Sequence, residues 1–337
     1  MGRETYRKII VTPELILKIN PKNIDLMKAF LKEKNTRSAE TTIRGYESDL
    51  NIFFVWNLNE NDNKFFVDIR KLEFANFFAY VTMELQWGSA RFSRLKACLS
   101  SLSQFIERFY DDVYPLFRNV ILKVVESMPK NAVREKTILT EEQVKGLLNY
   151  LKEKDLQQAC WFALALSSGS RFSELLRFTT DVIDENNTAF DGIFLETVRA
   201  IKSKGRSKTG KMIKKYIIKD LFIPYYNEWM IERDKIMKEN NQSHNQIFIK
   251  KNNGLPAVSG TVRSWIEGMT TFLGVPMYPH AARHWTTTYL SGLGLPAQLV
   301  QEIMGWESAS MLQIYDDTTA KNKDWKELEN LRKDLDK

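Results

Sequence analysis

The sequence predicts a mainly α-helical protein with one small antiparallel β-sheet, an α+β chain in two domains. Three observations predict it. Apolar residues recur at helical spacing from Asn23 to Phe109. Between Glu126 and Thr140 that periodicity lapses into a basic stretch. The period then changes over residues 193–201 and 212–218, where β-branched residues gather on both sides of a glycine-bounded turn.

Residues 1–22 are mixed and peripheral. From 23 to 31, Ile24, Met27, Phe30 and Leu31 take helical spacing, and from 38 to 56, Ile43, Tyr46, Leu50, Phe53 and Phe54 share one face. More helix follows over 74–85. Residues 89–109 read as a long helix with Leu95, Leu99, Leu102, Phe105 and Ile106 on its apolar face, and Arg91, Ser93, Arg94 and Lys96 mark its polar start. Residues 23–128 are therefore expected as an all-helical domain, followed by a basic linker over 129–138 that holds Lys130, Arg134 and Lys136.

The second domain is expected over 139–318. Leu139-Thr140-Glu141-Glu142 starts a helix, with the Thr140 hydroxyl placed to accept from an orphan backbone N–H of the first turn. Helices continue to Arg177. The two β-branched runs bracket Gly205-Arg206-Ser207-Lys208-Thr209-Gly210, which reads as a hairpin turn. Pro224 is expected in the first turn of a helix running to about Glu239, and Pro296 plays the same part before 299–304. Residues 319–337 form a charged helix whose stripe of Trp325, Leu328, Leu331 and Leu335 packs on its own domain or on a neighbour.

The 337 residues are 43% hydrophobic and 12% aromatic, enough for two real cores, and a formal charge of +7 permits a polyanionic partner. No apolar run approaches the roughly 20 residues that cross a bilayer. The start lacks a signal-peptide apolar region and, with Tyr6 at the sixth position, a myristoylation signal. Cys98 and Cys160 each lie in an apolar helical run, without zinc-ligand spacing, so a cytosolic, reduced, metal-free protein is expected. There is no glycine-rich nucleotide loop and no carboxylate cluster.

Near the C-terminus, His280-Ala281-Ala282-Arg283-His284 is followed by Gly305-Trp306 and then Tyr315, and upstream Ser168-Gly169-Ser170-Arg171-Phe172-Ser173-Glu174 supplies a second arginine. Cleaving a phosphodiester with a hydroxyl requires neutralised non-bridging oxygens, an in-line nucleophile and a proton for the leaving oxygen. The guanidinium forks of Arg171 and Arg283 match phosphate geometry and keep their charge. His280, three residues before Arg283, shares its helix face. The Trp306 indole is a donor without acid–base chemistry. Tyr315 is the candidate nucleophile; its ordinary pKa of about 10 means that it gives up a proton during attack, which His280 could accept or relay. A lysine on a mobile turn can protonate the leaving 5′ oxygen. Nine Lys/Arg fall from Arg199 to Lys219 with no acidic residue among them; Lys204 is the candidate, with Lys202 the fallback.

Together these residues resemble the tyrosine recombinase family, the phage-integrase type of site-specific recombinase. The resemblance runs from about Asn23 to Tyr315 and is strongest where Arg283-His284-Trp285-Thr286-Thr287-Thr288-Tyr289-Leu290, Gly294, Ile303-Met304-Gly305-Trp306 and Gln313-Ile314-Tyr315 follow the family's second signature box, spacing included. It implies that His280, Arg283, Trp306 and Tyr315 are catalytic, Trp306 standing where the family more often has histidine. It places the first arginine at Arg171, Glu174 at the acidic position after it, and the family's hairpin lysine at Lys204 within a lysine–glycine turn. His284 is then a supporting residue.

The resemblance further implies a helical core-binding domain joined to a tyrosine-recombinase catalytic domain, together clamping duplex DNA. Arg91, Ser93, Arg94 and Lys96 would lie at the start of a major-groove helix, though they could equally be an exposed helix face; Lys130, Arg134 and Lys208 complete the expected DNA contacts. The implied function is a site-specific DNA recombinase of a phage or mobile element. It would cleave and rejoin strands through a covalent 3′-phosphotyrosine and a Holliday junction, without ATP, metal or other cofactor. Its partners would be a double-stranded recombination site, three further copies in a homo-tetramer, and an accessory directionality factor, in the cytoplasm and without a membrane. The stretch before Asn23 is shorter than an arm-binding domain, so none is expected. A type IB topoisomerase-like enzyme and a non-cleaving DNA-binding protein of the same fold are the competing readings.

Overall fold

The computed structural model describes residues 10–128, 137–203 and 210–306. These fall into two compact units, the first holding residues 10–128 and the second the remainder.

The first unit is helical throughout its described residues. Helices α1 (Pro13–Lys18) and α2 (Pro21–Asn35) each begin with proline, where the missing N–H would be unpaired anyway, behind the side-chain caps Thr12 and Asn20. Helices α3 (Glu40–Glu60), α4 (Lys71–Met83), α5 (Ser89–Phe109) and α6 (Ile121–Val124) complete it. The expected spacing on α5 is realised: Leu95, Leu99 and Leu102 are fully buried. Phe53 of α3 centres an aromatic core, edge-on to Phe77 at 4.8 Å and to Phe66 at 5.7 Å, and stacked on Phe74 at 5.8 Å. Burying each such ring is worth about 1.5–3 kcal/mol. Two buried amides anchor the loop after α3, since Asn23 and Asn57 both donate to the Lys64 carbonyl.

In the second unit α7 (Glu141–Lys154) begins as expected, the Thr140 hydroxyl accepting from the Gln143 N–H at 3.2 Å while Gln143 caps the Thr140 N–H in return. Helix α8 (Leu156–Ser168) is buried on nearly every side because it is apolar all round, and it packs against α7, α10 (Lys219–Glu239) and α12 (Pro279–Gly292). The short α9 (Phe172–Leu175), α11 (Ser259–Leu273) and α13 (Ala297–Met304) complete the helices of this unit.

The hairpin differs from a simple two-armed ribbon. A three-stranded sheet of β1 (Thr188–Ala189), β2 (Phe194–Glu196) and β5 (Tyr216–Ile218) has the order β1-β2-β5, and β3 (Ile201–Ser203) pairs separately with β4 (Lys211–Ile213). The last pair of one ladder is Glu196 with Tyr216 and the first of the other is Ile201 with Ile213. Residues 197–200 therefore face only residues 214–215, and the unequal count breaks the ribbon. The glycine-bounded turn lies mostly outside the described residues.

Helix α10 starts earlier than its proline predicts. Pro224 lies inside the helix, and the five preceding residues are already helical. The Lys219 N–H donates to the Ile193 carbonyl of the sheet, and Phe222 is fully buried, so tertiary contacts outweigh the backbone bond that Pro224 cannot donate. Pro296 is the residue before α13 rather than within its first turn. Among the described residues no helix is long and apolar enough to cross a membrane.

Candidate functional site

The site is built where the C-terminal ends of α8 and α13 meet the first turns of α12. Gly169 ends α8 in the left-handed region at φ +52°, and a Cβ there would lie 2.6 Å from the Met304 Cε. Glycine adopts this left-handed backbone without strain. The Arg283 side chain, 2% exposed on α12, uses it: one Nη donates to the Gly169 carbonyl and the other to the Met304 carbonyl at 3.1 Å. Both acceptors lie at helix C-terminal ends, where unpaired carbonyls concentrate negative potential. Gly305 closes α13 at φ +64°, and a Cβ on it would meet the Ile213 Cδ1 at 2.7 Å, so β4 lies directly against this cap. The Trp306 ring follows, 5% exposed and 5.6 Å from the Arg283 guanidinium, within cation–π range.

Two residues after Gly169, Arg171 begins the turn that holds Glu174. The fully buried Glu174 carboxylate accepts from the Arg171 backbone N–H at 3.1 Å and from Arg171 Nη1 at 2.9 Å. It also accepts from Ser203 Oγ at 2.6 Å and from Lys215 Nζ at 2.7 Å. Burial by itself would raise the Glu174 pKa, but the charge of Lys215, with hydrogen bonds from Lys215, Ser203 and Arg171, holds it down to about 2. Lys215 is only 1% exposed; burial lowers its pKa, Glu174 opposes that, and Arg283 and Arg171 repel its charge. Two cations, Arg171 and Lys215, thus meet one carboxylate, with Arg283 close enough to repel Lys215, and the described cluster has positive charge in excess.

The structure brings together Arg171, Glu174, Arg283 and Trp306 among the sequence-predicted residues. His280 is exposed in the first turn of α12, one helical turn before Arg283, and His284 is half-buried beside it. Lys202 is exposed on β3 between the buried Ile201 and Ser203, so strand alternation turns its side chain away from the face that reaches Glu174. Lys204, Lys208, Lys130, Arg134 and Tyr315 lie outside the described residues, as do Trp325, Leu328, Leu331 and Leu335.

In the first unit, Arg91 lies over the Trp87 ring at 3.6 Å, and Arg91, Ser93 and Arg94 are exposed at the start of α5. Arg94 donates twice to the buried Asp49, at 2.7 and 2.8 Å, and Lys96 donates to the Val125 carbonyl.

Lys215 and Ser203 are the residues that sequence reasoning missed. A signal for Lys215 existed: it stands two positions before Ile217, which is fully buried, and alternation along a strand puts both on one face. Among the described residues no group of three or more His, Cys, Asp or Glu could hold a metal ion. A cluster of fixed cations with an indole beside it is suited to an anionic group with several oxygens, and a phosphodiester is such a group.

Residues 137–322 match the Phage integrase family. The SPbeta prophage-derived recombinase-like protein YomM of Bacillus subtilis (strain 168) is 25% identical over 289 residues, 83% of this chain and 82% of that protein. Tyrosine recombinase XerD of Halalkalibacterium halodurans is 24% identical over 288 residues, 83% of this chain and 88% of that protein. Among solved structures, XerH site-specific recombinase bound to its palindromic difH substrate shares the fold with a TM-score of 0.65 at 18% identity, over 94% of this chain and 85% of that one.

Proposed function

This chain belongs to the phage integrase family, the tyrosine recombinases, which are DNA strand-transferring enzymes, and from that premise we propose that it is a site-specific recombinase working through a covalent 3′-phosphotyrosine. The observation that carries the proposal is the meeting of Arg171 and Arg283, from segments more than a hundred residues apart, at the end of α8, where Arg283 donates to the Gly169 carbonyl two residues before Arg171 and lies beside the Trp306 ring.

In this reading residues 139–318 are the catalytic domain and residues 23–128 the core-binding domain, with 129–138 as linker. Arg171 and Arg283 neutralise the non-bridging oxygens of the scissile phosphate, and the Trp306 indole N–H donates to the same group. The Tyr315 oxygen attacks phosphorus while the bond to the 5′ oxygen breaks. His280 takes the tyrosine proton and Lys204 delivers one to the leaving 5′ oxygen. A 5′ hydroxyl from the partner strand then attacks the phosphotyrosyl link, returning the proton and freeing Tyr315. The phosphotyrosyl link conserves the bond energy, so exchange through a Holliday junction calls for no ATP.

Four protomers on two double-stranded sites, a directionality factor, a role in moving a phage or mobile element, and a cytoplasmic location on DNA complete the proposal. Arg91, Ser93, Arg94 and Lys96 at the start of α5 are the proposed DNA contacts of the first unit, the first three of them exposed.

The test selects bound sites from a duplex library, nicks them as suicide substrates, and seeks a denaturant-resistant adduct with the wild-type chain and with Tyr315→Phe. An adduct made only by wild type, mapping to Tyr315 and a 3′ phosphate, is the expected result. Tight binding without an adduct from either chain would replace this reading with a non-cleaving DNA-binding protein. A wild type that relaxes supercoils as a monomer, without exchange between sites, would replace it with a type IB topoisomerase-like enzyme.

A further inference from the structure

We propose that Lys215 is a positioning residue of the cleavage site, which neutralises Glu174 from the buried side so that Glu174 can orient Arg171 without cancelling the charge Arg171 presents to phosphate. This rests on the recombinase reading above and concerns a lysine outside its set of catalytic residues.

The backbone explains how a lysine comes to be buried here. Lys215 lies in the break between the two ladders, where its N–H donates to Thr197 Oγ and its carbonyl accepts from the Thr197 N–H, both at 2.9 Å. Thr197 is itself buried, and the pairing turns the lysine side chain to the face shared with Ile217. The ammonium reaches Glu174 at 2.7 Å and lies near the α13 cap, since a Cβ built on Gly305 would be 3.8 Å from its Nζ. With 1% exposure and a strong acceptor in place, Lys215 acts through Glu174 and not on DNA.

Charge decides why the position needs a cation. Glu174 uses both oxygens on Arg171, one for the backbone N–H and one for the guanidinium, which sets the direction of that side chain. Without Lys215, Arg171 and Glu174 would form a closed pair with no net charge. With Lys215, the charge of Arg171 is left for a group that gains negative charge as its phosphorus is attacked. The groups facing Glu174 are Lys215, Ser203 and Arg171; those facing Lys215 are Glu174, Arg283 and Arg171. A neutral residue in its place would leave a buried carboxylate with only the half-buried Arg171 as counter-charge.

The experiment measures single-turnover adduct formation and DNA affinity against pH, on the suicide substrate, for the full-length chain and three variants: Lys215→Met, Lys215→Arg and Lys215→Met/Glu174→Gln. Lys215→Met is expected to slow cleavage at saturating DNA by about tenfold or more, the order expected for one lost charge in a partly dry site, with affinity nearly unchanged. Its acid limb should move to higher pH, because Glu174 loses the charge that most lowers its pKa. Lys215→Arg should recover part of the rate. The double variant should cleave faster than Lys215→Met, since removing the carboxylate leaves Arg171 uncancelled; loss of packing alone would make it slower. Cleavage by Lys215→Met at the wild-type rate, or a double variant no faster with an unmoved acid limb, overturns the proposal. Should Lys215→Met fail to fold, the double variant, in which the buried charges leave together, is compared with Glu174→Gln: equal rates support the proposal and a slower double variant overturns it. Absence of an adduct from the wild-type chain would instead reject the recombinase reading, and this inference with it.

Discussion

Asp49 in the first unit and Glu174 in the second are both fully buried carboxylates, and their surroundings differ in one respect. Asp49 takes two hydrogen bonds from Arg94, whose side chain is half-exposed, and that forms one ion pair. Glu174 takes bonds from Arg171, Lys215 and Ser203, with Arg283 close enough to repel Lys215. The first is one direct arginine–carboxylate pair that joins α3 to α5, with Arg91 close enough to feel Asp49 but donating no hydrogen bond to it. The second holds more cations than it needs for its own neutrality, at a place where two helices end in left-handed glycines, Gly169 and Gly305, beside a strand pair. A buried carboxylate held by two direct cations is suited to present one of them to an anion, whereas a carboxylate held by one direct cation serves as a fastening.

The comparison breaks most readily at Arg171. Replacing it with Ala should reduce single-turnover adduct formation by about 10²–10³-fold, the range seen when one preorganised donor to a charged transition state is removed. Retained rate with lowered melting temperature would make the second cluster a fastening as well. The complementary change, Arg94→Met, leaves Asp49 buried without its cation and should lower the stability of the first unit by about 3 kcal/mol in denaturant unfolding. A loss within about 0.5 kcal/mol would show that water or another donor reaches Asp49 readily.

A smaller and more specific effect lies in acid. The folded-state pKa of Glu174, near 2, is depressed below its ordinary 4.5, so its contribution to stability is present above pH 4.5 and is lost as pH falls towards 2. Acid unfolding of the second unit should therefore steepen in that window, and Glu174→Gln should flatten it. An unchanged slope in the variant would mean that other carboxylates govern acid sensitivity.

Much of the fold could be read along the chain because its causes are local. The α5 stripe of Leu95, Leu99 and Leu102 is a period-3.6 pattern, and Thr140 with Gln143 is a capping box four residues long. Pro224 misled because proline preference is local too, while the start of α10 is held by a bond from Lys219 to the sheet and by the burial of Phe222. The hairpin was legible as a hairpin, but its division into two ladders arises from two extra residues on one arm, which a run of β-branched residues does not reveal.

The candidate site divides in the same way. Arg171, Arg283 and Trp306 stand out from order and spacing, and the fold brings them together, whereas His280 is exposed one turn before Arg283. Lys215 does not stand out, since it is one of nine basic residues in a basic stretch, and nothing in that run says which of them is buried. The same holds for Arg94, which reads as an exposed cation until Asp49, 45 residues earlier, is found beneath it. Residue type, helical period and cap chemistry follow from neighbours within a few positions, so one dimension suffices for them. Whether a charge is solvated, paired or left in excess depends on what packs around it, and Glu174 meets Lys215 across 41 residues and Arg283 meets Gly169 across 114 only once the chain has folded.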